Sequence, residues 1–95
     1  MNTKLKNQFN LNLEELIEGY NFQKIHSVMN FLNWNWYGKG IPSIENMKDC
    51  IRELYNLAIQ ESNFDTTFGT GGFSLKLYKD GSIYVWFTVC DYQTI

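Results

Sequence analysis

Residues 73–89 of the chain read FSLKLYKDGSIYVWFTV. Phe73, Leu75 and Leu77 alternate with Ser74, Lys76 and Tyr78. Further on, Ile83, Val85, Phe87 and Val89 alternate with Tyr84, Trp86, Thr88 and Cys90. A period of two marks a half-buried strand, and Lys79-Asp80-Gly81-Ser82 between the runs is a hairpin turn. Register decides the length of that turn. A two-residue loop of Asp80 and Gly81 would set Leu77 opposite Tyr84 and Leu75 opposite Trp86, which mixes the faces. A three-residue loop with Gly81 in the left-handed region sets Leu77 opposite Ile83, Leu75 opposite Val85 and Phe73 opposite Phe87. This second register gathers the aliphatic residues on one face and is the expected one. The other face then carries Lys76, Tyr78, Tyr84 and Trp86.

Upstream of the hairpin the period is helical. Pro42 and Ser43 open the strongest helix, predicted over residues 44–61. Ser43 caps it, and Ile44, Met47, Ile51, Leu54, Tyr55, Ala58 and Ile59 form its buried stripe. Phe22, Ile25, Val28, Met29 and Leu32 predict a second helix over residues 22–33. Asn12 reads as the cap of a short helix over residues 13–19, with Glu14 and Glu15 near its positive end. Residues 1–11 are mostly polar and are expected to be loosely held. Trp34-Asn35-Trp36-Tyr37 reads as an extended segment that supplies a third strand, because a lone hairpin is marginal in water. The expectation is a single α+β domain, two to three helices packed on an antiparallel sheet of two to three strands. Its core should include Ile25, Met29, Leu32, Ile51, Leu54, Leu75, Val85 and Phe87.

Composition bounds the function. The chain has 95 residues, of which 44% are hydrophobic and 17% aromatic, so one small core can form without a metal or a disulfide. No apolar run approaches the roughly 18–20 residues of a membrane span, and the first twenty residues lack the apolar stretch of a signal peptide. A soluble, cytoplasmic protein without a membrane partner is expected. The net charge of −2 leaves no excess of cations to track a long nucleic acid, though a site for one small anion is still open. Cys50 and Cys90 can form at most one bridge. The single histidine, His26, rules out histidine-rich metal motifs, so neither a metal nor a cofactor is expected. No nucleophile, base and orienting group stand out together, and a non-enzymatic role is expected.

Three segments could hold a ligand. Gln23, His26, Asn30 and Asn33 form a stripe of neutral hydrogen-bonding side chains beside the apolar face of their helix, suited to the edge of a base or a ribose. The same stripe also fits the border of a half-buried helix. Trp34 and Trp36 suit core filling first; they also suit stacking on a planar ligand, with Lys39 near enough to meet an anion. Thr70-Gly71-Gly72-Phe73 can present an anion-binding nest of N–H groups, or can simply be the entry to a strand. The nucleotide-binding loop patterns fail here, since no Gly-Lys-Ser/Thr follows and the next element is a strand. On the hairpin, Tyr78, Tyr84 and Trp86 exceed what a solvated face usually shows and suggest a homo-oligomer interface.

The set Ile25-His26-x-Val28-Met29-x-x-Leu32-x-Trp34-x-Trp36, then Pro42-Ser43-Ile44-Glu45, then Thr70-Gly71-Gly72-Phe73 resembles a family of small phage and prophage proteins of uncharacterised activity. The resemblance runs from about residue 25 to 87 and implies a mobile-element origin, action in the host cell cytoplasm and one short domain. It implies no catalytic residues. Among roles open to such proteins, the acidic balance and the missing helix-turn-helix pattern disfavour a transcription regulator. The expected function is a host-defence antagonist that sequesters a small nucleotide-type immune signal through His26, Asn30, Trp34, Trp36, Lys39, Thr70, Gly71 and Gly72. The alternative is an anti-CRISPR-like inhibitor that docks on a host defence protein.

Overall fold

The computed structural model describes residues 1–87. In chain order its elements are helices α1 (Thr3–Gly19) and α2 (Phe22–Phe31), a short 3-10 turn (Trp36–Gly38), helix α3 (Ile44–Glu61), and strands β1 (Thr67–Thr70), β2 (Phe73–Leu77) and β3 (Ile83–Phe87). The strands form one antiparallel sheet in the order β1-β2-β3. Helix α3 lies against β1 and β2, α1 against β3, and α2 against α3. This is the expected α+β architecture, with the helices on one face of a small sheet.

The hairpin adopts the three-residue loop. Phe73 pairs with Phe87, Leu75 with Val85 and Leu77 with Ile83. Gly81 is left-handed at φ 93°, and Tyr78 N–H donates to Ser82 O at 3.0 Å to close the loop. Segregation of the faces therefore does fix the register: Phe73, Leu75, Leu77, Val85 and Phe87 are all buried. Residues Val89 and Cys90, at the far end of the expected hairpin, lie outside the described residues. Helix α3 also has the expected bounds. Ser43 Oγ accepts from Asn46 N–H at 3.1 Å, and Met47, Ile51, Leu54, Tyr55 and Ala58 are buried.

Four expectations need correction. The segment expected to be loose is the first half of α1, which starts at Thr3 with Asn2 as its cap; Asn2 Oδ1 accepts from Leu5 N–H at 2.8 Å. Leu5, Phe9, Leu13 and Ile17 are spaced by four and form its inward stripe, so burial rather than local propensity holds the helix. Phe9 is fully buried and stacks on Phe64 at 6.1 Å. Asn12 is no cap; it sits inside the helix and its side-chain amide donates to Gly81 O at 2.6 Å. The third strand is residues Thr67–Thr70, whereas Trp34 to Tyr37 form a loop and tight turn, because backbone bonds there close locally instead of along a ladder. Leu32, expected in the core, caps the C-terminus of α2 and is 41% exposed.

The α1 contact sets a stability test. Phe9→Ala should destabilise the domain by about 3–5 kcal/mol, as for other buried Phe truncations, while Leu11→Ala on the exposed side of the same helix should cost about 0.5 kcal/mol or less. Urea denaturation of both variants measures this, and equal small losses would mean that α1 is not docked.

Candidate functional site

The segment that joins α2 to α3 folds into a compact loop. Trp34 N–H donates to Met29 O at 2.9 Å, continuing off the end of α2. Asn35 Oδ1 accepts from Gly40 N–H at 3.0 Å, Trp36 N–H donates to Gly40 O at 2.8 Å, and Lys39 N–H donates to Trp36 O at 2.9 Å. Inside this closed loop Tyr37 is left-handed at φ 50°, an unusual backbone for a bulky side chain that costs on the order of 1–3 kcal/mol. Its hydroxyl is hydrogen-bonded to the hydroxyl of Thr70, the last residue of β1. The loop is thereby latched to the sheet.

Between this loop and α3 lies a cleft of about 400 Å³. One wall is the loop, with Trp36, Tyr37, Lys39 and Gly40; Thr70 closes the sheet end, and Ile41 and Pro42 lie at the join to α3. The opposite wall is one flank of α3, where Asn46, Asp49, Cys50 and Glu53 fall at helical spacings of three, one and three. The Trp36 and Tyr37 rings meet edge-on at 4.8 Å. Nε1 of Trp36 is buried against Gly71 and finds no hydrogen-bond acceptor among the described residues. A buried donor without a partner costs about 1–3 kcal/mol, and such groups recur at functional sites.

The expected ligand residues are divided by the fold. Trp36, Lys39 and Thr70 come together in the cleft, and Gly71 backs Trp36. Trp34 turns towards the core, meeting Phe87 at 5.3 Å and lying over Gly72. For Trp34 the core-filling reading is the one the packing supports. His26, half-buried on α2, and the exposed Asn30 do not line the cleft. Asn46, Asp49 and Glu53 do line it, although the sequence presents them only as part of a solvated helix flank. On the outer face of the hairpin, Tyr84 is 52% exposed and packs on Trp86 at 5.1 Å, and Lys76 Nζ sits 5.4 Å from the Tyr78 ring centre.

The charged groups of the cleft are unevenly paired. Asp49 shares its carboxylate with Arg52 at 3.3 Å, and Arg52 also reaches Glu14 at 4.0 Å. Lys39 and Glu53 form no ion pair among the described residues. Cys50 is a free thiol that donates to Thr70 O at 3.6 Å. Burial, and after it the Glu53 charge, pushes its pKa up to about 11. At neutral pH it is therefore a protonated thiol, ill suited to nucleophilic attack. Among the described residues no group of three or more His, Cys, Asp or Glu side chains could hold a metal ion, and no helix is long and apolar enough to cross a membrane.

No protein-family model, curated protein or solved structure matches the chain. What the cleft does has to be read from its own residues.

The raised thiol pKa gives a pH dependence with a definite sign. Once unfolded, Cys50 ionises near its ordinary value of 9.0; in the fold it stays protonated to about 11. Its contribution to stability is thus complete below pH 9 and is lost as the pH rises from 9 towards 11. Denaturation at stepped pH should show wild type losing more stability than Cys50→Ala across that window, and parallel curves would mean that the thiol is not held neutral.

Proposed function

We propose that this chain is a phage-encoded, non-enzymatic host-defence antagonist that binds and sequesters a small nucleotide-type immune signal in the cleft between the Trp36 loop and α3. The observation that carries this reading is the meeting, around one cavity, of aromatic rings, an ammonium that forms no ion pair among the described residues, and a wall of polar acceptors. A base stacks against the Trp36 and Tyr37 rings, an interaction of about 1–3 kcal/mol. Lys39 meets phosphate, and Asn46 and the carboxylates accept from ribose or base donors. The cavity falls within the roughly 300–1,000 Å³ typical of small-molecule sites, near its lower end. Sequestration requires tight binding and no turnover, so a protonated Cys50 on the wall is no obstacle. The phage origin and the host cytoplasm as the place of action rest on the family resemblance of the sequence.

A docking inhibitor of a host immune complex is the second reading, and one observation favours it. Phe31, at the end of α2, is 88% exposed beside the exposed Leu32, the form of an aromatic anchor that awaits a partner's pocket. The same proposal includes a two-fold oligomer through the outer hairpin face of Tyr78, Tyr84 and Trp86. Phe9 belongs to the core on the opposite face of the sheet, so α1 does not cover those rings.

Three measurements test these readings. In a thermal-shift panel of cyclic and linear di- and trinucleotides and ADP-ribose derivatives, a true ligand at one hundred times its Kd should add about 2.7 kcal/mol to stability. Lys39→Ala, at an exposed position, should weaken that shift while the protein stays folded. If no compound shifts Tm, or if the ligand is returned chemically altered, sequestration is excluded; capture of one stoichiometric host protein, lost in Phe31→Ala, would then favour docking. Sedimentation velocity at micromolar concentration should give a dimer that Tyr84→Glu dissociates, and a strict monomer overturns the oligomer.

A further inference from the structure

The charge around the cleft restricts the kind of phosphate it can accept. Among the described residues Lys39 is the one cationic side chain that lines it, carried on the exposed loop wall. To the same cavity α3 contributes Asp49 and Glu53. The Asp49 carboxylate is engaged by Arg52 at 3.3 Å, a guanidinium it shares with Glu14, so its charge is offset in part. Glu53 has no such partner among the described residues, and its field is strong enough to help raise the neighbouring Cys50 thiol. The cavity thus offers one ammonium for an anion and one open carboxylate that repels a second negative charge. A phosphomonoester carries about −1.5 to −2 at neutral pH, with its second pKa near 6. A polyphosphate carries more, whereas an internal phosphodiester carries a single charge and has no second proton to lose.

Glu53 also has a positive requirement. A carboxylate accepts and cannot donate, so the ligand must bring a hydroxyl or an amine to it. A ribose 2′-hydroxyl is such a donor, and acidic side chains meet ribose hydroxyls in this way at other nucleotide sites. Asn46 lies two turns before Glu53 on the same flank and can serve either edge of the sugar or base. From these charges we infer that the ligand is a cyclic ribonucleotide phosphodiester, with its phosphate on Lys39 and its 2′-hydroxyl on Glu53. This rests on the nucleotide reading above and narrows it: terminal phosphates are selected against, and deoxyribose is too.

Isothermal titration of the full chain tests it with 3′,5′-cyclic AMP and cyclic GMP, their 2′-deoxy forms, and the matching 5′-monophosphates and 5′-triphosphates. A cyclic diester should bind at least tenfold more tightly than its monophosphate and triphosphate, and at least tenfold more tightly than its 2′-deoxy form. Glu53→Gln removes the charge, preserves the shape and lies at an exposed position. It should cut the preference over the triphosphate to threefold or less. Triphosphate or monophosphate binding as tight as that of the diester overturns the inference and leaves the nucleotide reading intact. Equal binding of the 2′-deoxy form, or an unchanged preference in Glu53→Gln, overturns the role given to Glu53. If none of these compounds binds, while linear oligonucleotides or ADP-ribose derivatives do, the diester inference fails alone. If no nucleotide of any kind binds, the nucleotide reading fails with it.

Discussion

A Cβ placed on Gly71 would stand 2.3 Å from Nε1 of Trp36, and one on Gly72 would stand 2.4 Å from Cε2 of Phe87 and 3.1 Å from Cζ2 of Trp34. Both glycines are left-handed, at φ 62° and 89°, as a two-residue turn between β1 and β2 requires. Tight reversal of the chain and close approach of three rings therefore demand glycine at the same two positions. The contact seats the α2–α3 loop on the sheet, and the Tyr37–Thr70 bond follows from that seating. Helix α3 is placed independently by Ile51 and Leu54 in the core. The cleft is the space left between a loop fixed to the turn and a helix fixed to the sheet face, and its walls have separate structural origins.

Where structure depends on short-range rules, it was legible in the sequence. The β2–β3 register follows from side-chain alternation and one left-handed glycine, and the bounds of α3 follow from Ser43 and a long apolar stripe. Legibility failed where a distant partner decides. Leu5 and Phe9 sit among lysines and asparagines, and the hairpin, α3 and Phe64, all far along the chain, give them a surface to bury against. Strand β1 holds four residues, one of them a glycine, and carries little strand signal of its own; pairing with β2 makes it a strand. Residues 34–37 had the aromatic content of a strand, yet hydrogen bonds to Gly40 turn them back on themselves.

The candidate site divides along the same line. Trp36, Lys39 and Thr70 stood out as ligand-binding residue types, and they do meet. His26 and Asn30 lie on one helix face as their spacing implies, but spacing fixes a face only relative to its own axis. How α2 is rotated against the loop is a tertiary fact, and it leaves both residues out of the cleft. Asn46, Asp49 and Glu53 carried the opposite ambiguity. A polar helix flank looks the same in sequence whether it faces bulk water or the rim of a cavity.

The bond from Asn12 to the carbonyl of Gly81 joins residues 69 positions apart. Gly81 is buried beneath α1, where Gln8 would press on any side chain added there. Helix α1 is thus synthesised well before the hairpin on which it docks. At synthesis rates of about 5–20 residues per second, roughly 3–14 s separate the two. Through that interval the Phe9 stripe has no hairpin to cover it, while α2 and α3 are being synthesised. Docking of α1 requires the hairpin, so loss of the hairpin by truncation would strand that helix as well.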